Sequence, residues 1–216
     1  MSAKQGLLKW LGAFVAFDIV VLGAVLASQL LGTPIELARV TGALSTFLAP
    51  PVLLLLNNII PRGWKNSLVF WRLRDVLPAH RAFSEHAERD TRVSISKLRN
   101  RLGEFPIPPR DQQDVWFGLY QAHKTDAAVL DSHRLHLIFR DLAAVSFFLA
   151  LLVPLVLWIF GSGVASWSTL VVFGCQYLLA ALASHQSGVR LVCTVLSLES
   201  HSMVPAAMKE NKSEVK

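Results

Sequence analysis

The chain has 216 residues, 53% of them hydrophobic and 17% charged, with a formal net charge of +6. A mean hydropathy of +0.45 excludes an ordinary soluble domain and fits the membrane class. The positive balance reads as charge held against an anionic leaflet rather than as a nucleic-acid surface: 14 of the 21 Lys and Arg lie in Pro61–Asp141, beside 10 of the 15 Asp and Glu.

The first apolar stretch is Leu7–Leu31. At ~1.5 Å per residue, a helix of about 20 residues crosses a ~30 Å hydrocarbon core. Lys4 before it and Lys9 near its start have the look of a signal peptide. The run is longer than a usual signal core and contains Asp18, so an uncleaved anchor is expected. Gly32 ends the helix, and Thr33-Pro34-Ile35-Glu36 is a capping sequence for the next one. The second stretch, Val40–Ile60, carries Pro50-Pro51, which kinks or locally unwinds it, and leaves the membrane at Asn57-Asn58 and Pro61.

The central segment, Pro61–Asp141, reads as a basic helical domain. Trp64 and Trp71 alternate with Lys65, Arg72 and Arg74, a mixture suited to headgroups, where aromatic rings sit at the interface and cations reach phosphates. A short helix is expected over Ala79–Arg89, with Glu85 and Arg89 as an i, i+4 pair. A second is expected over about Ile95–Leu102, capped by Ser94, stapled by Val93 and Leu98 and stopped by Gly103. Pro106, Pro108 and Pro109 make an extended connector. Asp111 then caps a helix whose apolar period runs through Val115, Trp116, Leu119 and Tyr120. That helix either continues into the third span or restarts at Thr125–Asp126.

The third and fourth stretches are Leu142–Phe160, with Pro154 inside it, and Trp167–Ser184, capped by Ser166. The fourth is expected to continue as an amphipathic helix to about Leu198, followed by a disordered tail, 201–216. The links Gly32–Arg39 and Gly161–Ser166 hold one basic residue, Arg39. All other Lys and Arg therefore share one side, and the positive-inside rule makes it the cytosol. The expected fold is an all-α polytopic membrane protein of the cell membrane with both termini cytoplasmic. Its four spans form hairpins over 1–60 and 142–200, and a cytosolic helical domain over 61–141 separates them.

Asp18 is the most telling single residue. A carboxylate in mid-span should face the bundle interior, and Ser45, Thr46, Gln176 and Tyr177 lie at similar depth as partners. It fixes helix register or belongs to an ion path. Ala180, Ser184 and Gly188 form a small-residue ridge that permits close helix approach, either between subunits or against Gly12 and Ala16 of span one. Cys175 and Cys193 stand 18 residues apart, ~27 Å on one helix, beyond disulfide reach. His133 and His136 are one turn apart, but no metal motif surrounds them, and a solvated helix face is the simpler reading. Arg81 and His86 resemble HEPN-type ribonucleases in Arg-x4-His spacing, although Ala82 stands where those enzymes usually have a polar residue. The resemblance implies a helical nuclease in which arginine steadies phosphate charge and histidine moves a proton. No glycine-rich phosphate loop, nucleophile elbow or catalytic set is present, and no cofactor is implied.

The function expected is a non-enzymatic sensor, effector or assembly subunit whose cytosolic domain binds a protein partner. Small multi-span effectors of prokaryotic defence systems share this layout, an architectural analogy only. Homo-oligomerisation and contact with the bilayer and its anionic headgroups are expected. The alternatives are an oligomeric pore using Asp18 and a membrane-tethered enzyme.

Overall fold

Every regular element that the computed structural model describes is helical, and no strand occurs among the described residues. Those residues are 12, 13, 16, 18, 20, 23, 59–159 and 163–202, the first three of the last range by backbone alone. The first two expected spans, their Thr33–Glu36 cap, Pro50-Pro51, Asn57-Asn58, Ser45, Thr46 and the tail beyond Ser202 lie outside them, apart from isolated helical positions in the first span and Ile59–Ile60 at the end of the second.

Helix α1 spans Arg62–Phe70 and ends on Trp71, whose φ of 50° is left-handed. A 3₁₀ turn over Pro78–Arg81 runs into a π-helical turn over Ala82–His86 and a short α2, Ala87–Arg89, so the expected single helix is broken into three geometries. Helix α3, Ile95–Leu102, follows. Val93 and Leu98 are both buried at its start, and Gly103 ends it at φ 81°. Ser94 makes no side-chain cap there; its Oγ lies 3.4 Å from Ser96 Oγ instead. Helix α4, Pro109–His123, begins two residues before Asp111, with proline in its first turn, where a missing N–H costs nothing.

The chain then restarts. Asp126 Oδ1 accepts from the Ala128 N–H at 2.9 Å and caps α5, Ala127–Ile159. Helix α6 covers Gly163–His201, so Ser166 lies inside it; the Ser166 hydroxyl donates to the Pro154 carbonyl at 2.7 Å.

Two compact units emerge. The first joins Met1–Leu77 with Leu130–Gly188, and the second joins Pro78–Val129 with Val189–Lys216. The first packs Val69 and Phe70 of α1 against Leu142, Val145, Phe173 and Ala181. The second gathers Phe83, Leu98, Trp116, Val129, Val195 and Leu196. Pro61–Leu77 thus clusters with the apolar helices, because α1 has an apolar edge to bury.

Helices α5 and α6 are both long and apolar enough to cross a membrane. Their outward residues support that use. Leu151, Leu155, Val171 and Leu179 are exposed, Leu179 by 70%, whereas the core helix of a soluble protein would bury them. Trp158 and Trp167 stand 70% and 71% exposed at one end of this band. Arg140 and His185 lie 18 residues away along the respective helices, ~27 Å at the helical rise, close to the hydrocarbon thickness.

Candidate functional site

Within the first unit, polar chemistry collects where α1 meets α5 and α6. Lys65, expected to face headgroups, is instead only 5% exposed. It shares the buried edge of α1 with Val69 and Phe70, and its Nζ donates to Asp141 Oδ1 at 3.2 Å. Arg140 donates to the same oxygen through Nε at 3.1 Å and Nη2 at 2.9 Å. One buried carboxylate therefore holds two cations. Burial draws the Lys65 ammonium below the ordinary lysine range, and the Asp141 charge opposes that shift.

Phe70 is the hydrophobic counterpart of this cluster. Its ring lies 5.8 Å from His136 and 5.1 Å from His185, centroid to centroid. His136 Nδ1 sits 3.0 Å from the Ser184 carbonyl oxygen, and the Ser184 hydroxyl donates to the His136 carbonyl at 3.2 Å. Ala180, Ser184 and Gly188 are all buried; His136 lies against Ser184, and Phe70 and His136 lie against Gly188. Gly12 and Ala16 are exposed, and nothing lies within 4 Å of a Cβ built on Gly12.

The close fit at Gly188 can be tested. A Cβ there would stand 2.9 Å from Phe70 Cζ and 3.2 Å from His136 Nδ1. Overpacking costs ~1–3 kcal/mol, and alanine's better helix propensity returns ~1. Gly188→Ala should therefore lose about 1 kcal/mol of stability in a detergent melt. If Phe70 and His136 fill the groove at Gly188 in the assembled protein too, mass photometry should show an unchanged oligomeric state.

Asp18 is buried, and its Oδ1 accepts from Gln176 Nε2 at 2.6 Å. Its Oδ2 has no partner among the described residues. Tyr177 turns elsewhere: its hydroxyl donates to the Leu68 carbonyl at 2.9 Å and accepts from Trp71 Nε1 at 3.0 Å. Trp64, Arg72 and Arg74 are exposed.

The second unit is organised by two residues that sequence reasoning passed over. Gln112, buried in α4, receives the Phe83 and Ser84 N–H groups on Oε1 at 3.1 and 3.2 Å, and its Nε2 donates to the Ile107 carbonyl at 3.0 Å. Glu199 of α6 holds Arg101 Nη2 at 2.9 Å on one oxygen and has His123 Nε2 at 2.8 Å from the other. Arg81 is engaged by Glu85 at 3.1 Å, and Glu85 also binds Arg89 at 2.9 Å. His86 is buried, so the two residues of the nuclease-like spacing stand in a packed turn. His133 is half-buried, and among the described residues no three His, Cys, Asp or Glu side chains are grouped to hold a metal ion. Cys175 and Cys193 are free thiols.

Arg92 bonds Asp90 through Nε at 3.0 Å and Nη2 at 2.6 Å, which holds the Asp90 carboxyl down at about 2. A depressed carboxylate stabilises the fold above its unfolded pKa near 3.8, and that contribution is lost as pH falls through about 2. Arg92 is half-exposed, so solvent screening limits the expected gain to about 1 kcal/mol. Asp90→Asn should flatten this part of the acid limb between pH 4 and 2 in a pH series of melts.

No protein-family model, curated protein or solved structure matches the chain. Its functional reading rests on the chemistry of its own residues.

Proposed function

We propose that the chain is a multi-pass protein of the cell membrane, with four spans in two hairpins and both termini in the cytosol. In this reading it is a non-enzymatic sensor, effector or assembly subunit whose second unit binds a cytosolic protein. The observation that carries the reading is the exposed apolar band of α5 and α6, closed by tryptophans at one end and by Arg140 and His185 at the other. Lipid is the solvent that such a band fits. Partner binding is supported by Ile107 and Phe117, 87% and 51% exposed on a unit otherwise rich in charge. Homo-oligomerisation is part of this reading, and at Gly188 the groove is occupied by Phe70 and His136 of the same chain.

A second reading, an ion pathway, is favoured by the unpartnered Asp18 Oδ2 among the described residues, since buried intramembrane carboxylates often mark such routes. One paired experiment separates the two. The full chain is reconstituted in planar bilayers, wild type beside Asp18→Asn, while cross-linked cytosolic proteins are recovered with wild type and with Phe117→Asp. The expected result is silent bilayers and a defined partner lost on Phe117→Asp. Currents abolished by Asp18→Asn, without such a partner, would put the pore reading in its place.

A further inference from the structure

We propose that the turn Trp71–Asp75, with the outer face of α1 behind it, binds anionic phospholipid headgroups. The inference rests on the membrane reading above and adds a ligand class and a site to it. A helix usually ends on glycine when its last residue is left-handed, because a side chain makes that conformation costly. Here both ends of the turn are left-handed without glycine, Trp71 at φ 50° and Asp75 at φ 46°. Strain of this kind persists where surrounding contacts impose it, and it commonly marks function. At Trp71 the contacts are visible: the indole N–H donates to the Tyr177 hydroxyl at 3.0 Å, and the ring lies 6.3 Å from His185.

The geometry turns Arg72, Leu73 and Arg74 outward together. All three are exposed, Leu73 by 93%. Arg62 and Trp64 are exposed on α1, and Trp64 stands two helical turns before Trp71. Among the described residues Arg62, Arg72 and Arg74 form no ion pair, whereas Lys65 is committed to Asp141. Asp75 is the one acidic residue in the sequence from Pro61 to Leu77. Two planar guanidinium groups beside an exposed leucine and two tryptophans match a phosphodiester above an acyl chain: the cations fork onto phosphate oxygens and the apolar groups enter the interface. An acidic protein groove would also take the arginines. Lipid is favoured because the Trp71 ring lies 6.3 Å from His185, at the polar end of the apolar band, where headgroups begin.

The test places the full chain in phosphatidylcholine nanodiscs containing increasing fractions of brominated phosphatidylserine or, in parallel, brominated phosphatidylcholine. Quenching of Trp64 is read as the difference from Trp64→Phe, with alkaline carbonate extraction of native membranes alongside. Wild type should be quenched at a lower fraction of the serine lipid than of the choline lipid. At about fivefold per arginine, Arg72→Gln/Arg74→Gln should weaken that preference about 25-fold. Equal quenching by both lipids in wild type, or a preference that survives the double substitution, overturns the site. Absence of quenching from a carbonate-resistant chain overturns the lipid site alone and turns the search to an acidic protein partner. Release of the chain by carbonate overturns the membrane reading itself.

Discussion

Asp141→Ala should lower stability by about 3–5 kcal/mol, whereas Lys65→Met should cost about 1 kcal/mol or less. The asymmetry follows from where the charges sit. Asp141 and Lys65 are both buried, and Arg140 shares the same carboxylate oxygen. Removing the anion leaves two cations facing each other away from water, and an uncompensated buried charge costs several kcal/mol. Removing Lys65 leaves a neutral Arg140–Asp141 pair with its two hydrogen bonds intact, and methionine retains the packing of the lysine stem on α1. For a chain of this length each kcal/mol moves the thermal midpoint by ~2–4 °C. Asp141→Ala should therefore melt at least 6 °C below wild type, and Lys65→Met within about 4 °C. A double variant, Lys65→Met/Asp141→Ala, should recover part of the loss, because only one buried cation then lacks its partner. Equal losses for the two single variants would mean that Asp141 answers to Lys65 alone.

Local sequence made much of the fold legible. Gly103 ends α3 in a left-handed conformation because a residue without Cβ was placed there, and Val93 and Leu98 meet in the core as their spacing predicts. Glu85 and Arg89 pair at one turn, and Asp126 restarts the chain as α5. The apolar composition of α5 and α6 is likewise plain in the sequence. What could not be read are contacts between distant residues. Lys65 stands among exposed cations in the sequence, but it lies one turn before Val69 on the apolar edge of α1. A lysine in that position needs a buried carboxylate, and Asp141, just before the apolar stretch of α5, is a reachable candidate. Glu199, Arg101 and His123 gave no comparable signal, since each sits in a stretch that reads as solvated helix. The π-helical turn was hidden for a related reason: its Phe83 and Ser84 N–H groups are received by Gln112 from another helix, 29 and 28 residues on in the chain.

The dependence of that turn on Gln112 leads to an expected change in its dynamics. Gln112 is 2% exposed, and its carboxamide uses both ends. Oε1 takes two backbone N–H groups from the first residues of the π-helical turn and a hydroxyl from Ser84 at 3.2 Å. A π turn forms longer, less favourable backbone bonds than an α turn, so an external acceptor at its start is a large part of what holds it. Gln112→Ala strips that acceptor, leaves the buried Phe83 N–H and the Ile107 carbonyl without it, and opens a void beside Phe83. An unsatisfied buried group costs ~1–3 kcal/mol, and the void adds to it, for an expected total of about 2–4 kcal/mol. Amide exchange at Phe83 and Ser84 should then accelerate by roughly 30- to 700-fold, at a factor of ten per 1.4 kcal/mol. Gln112→Glu separates the acceptor from the donor. Its carboxylate can still receive the two N–H groups, but it faces the Ile107 carbonyl with an oxygen instead of an N–H. Exchange at Phe83 should be slower than in Gln112→Ala, while the Ile107 end of the connector loosens. If the Phe83 amide exchanges equally fast in both variants, packing and not the acceptor holds the turn.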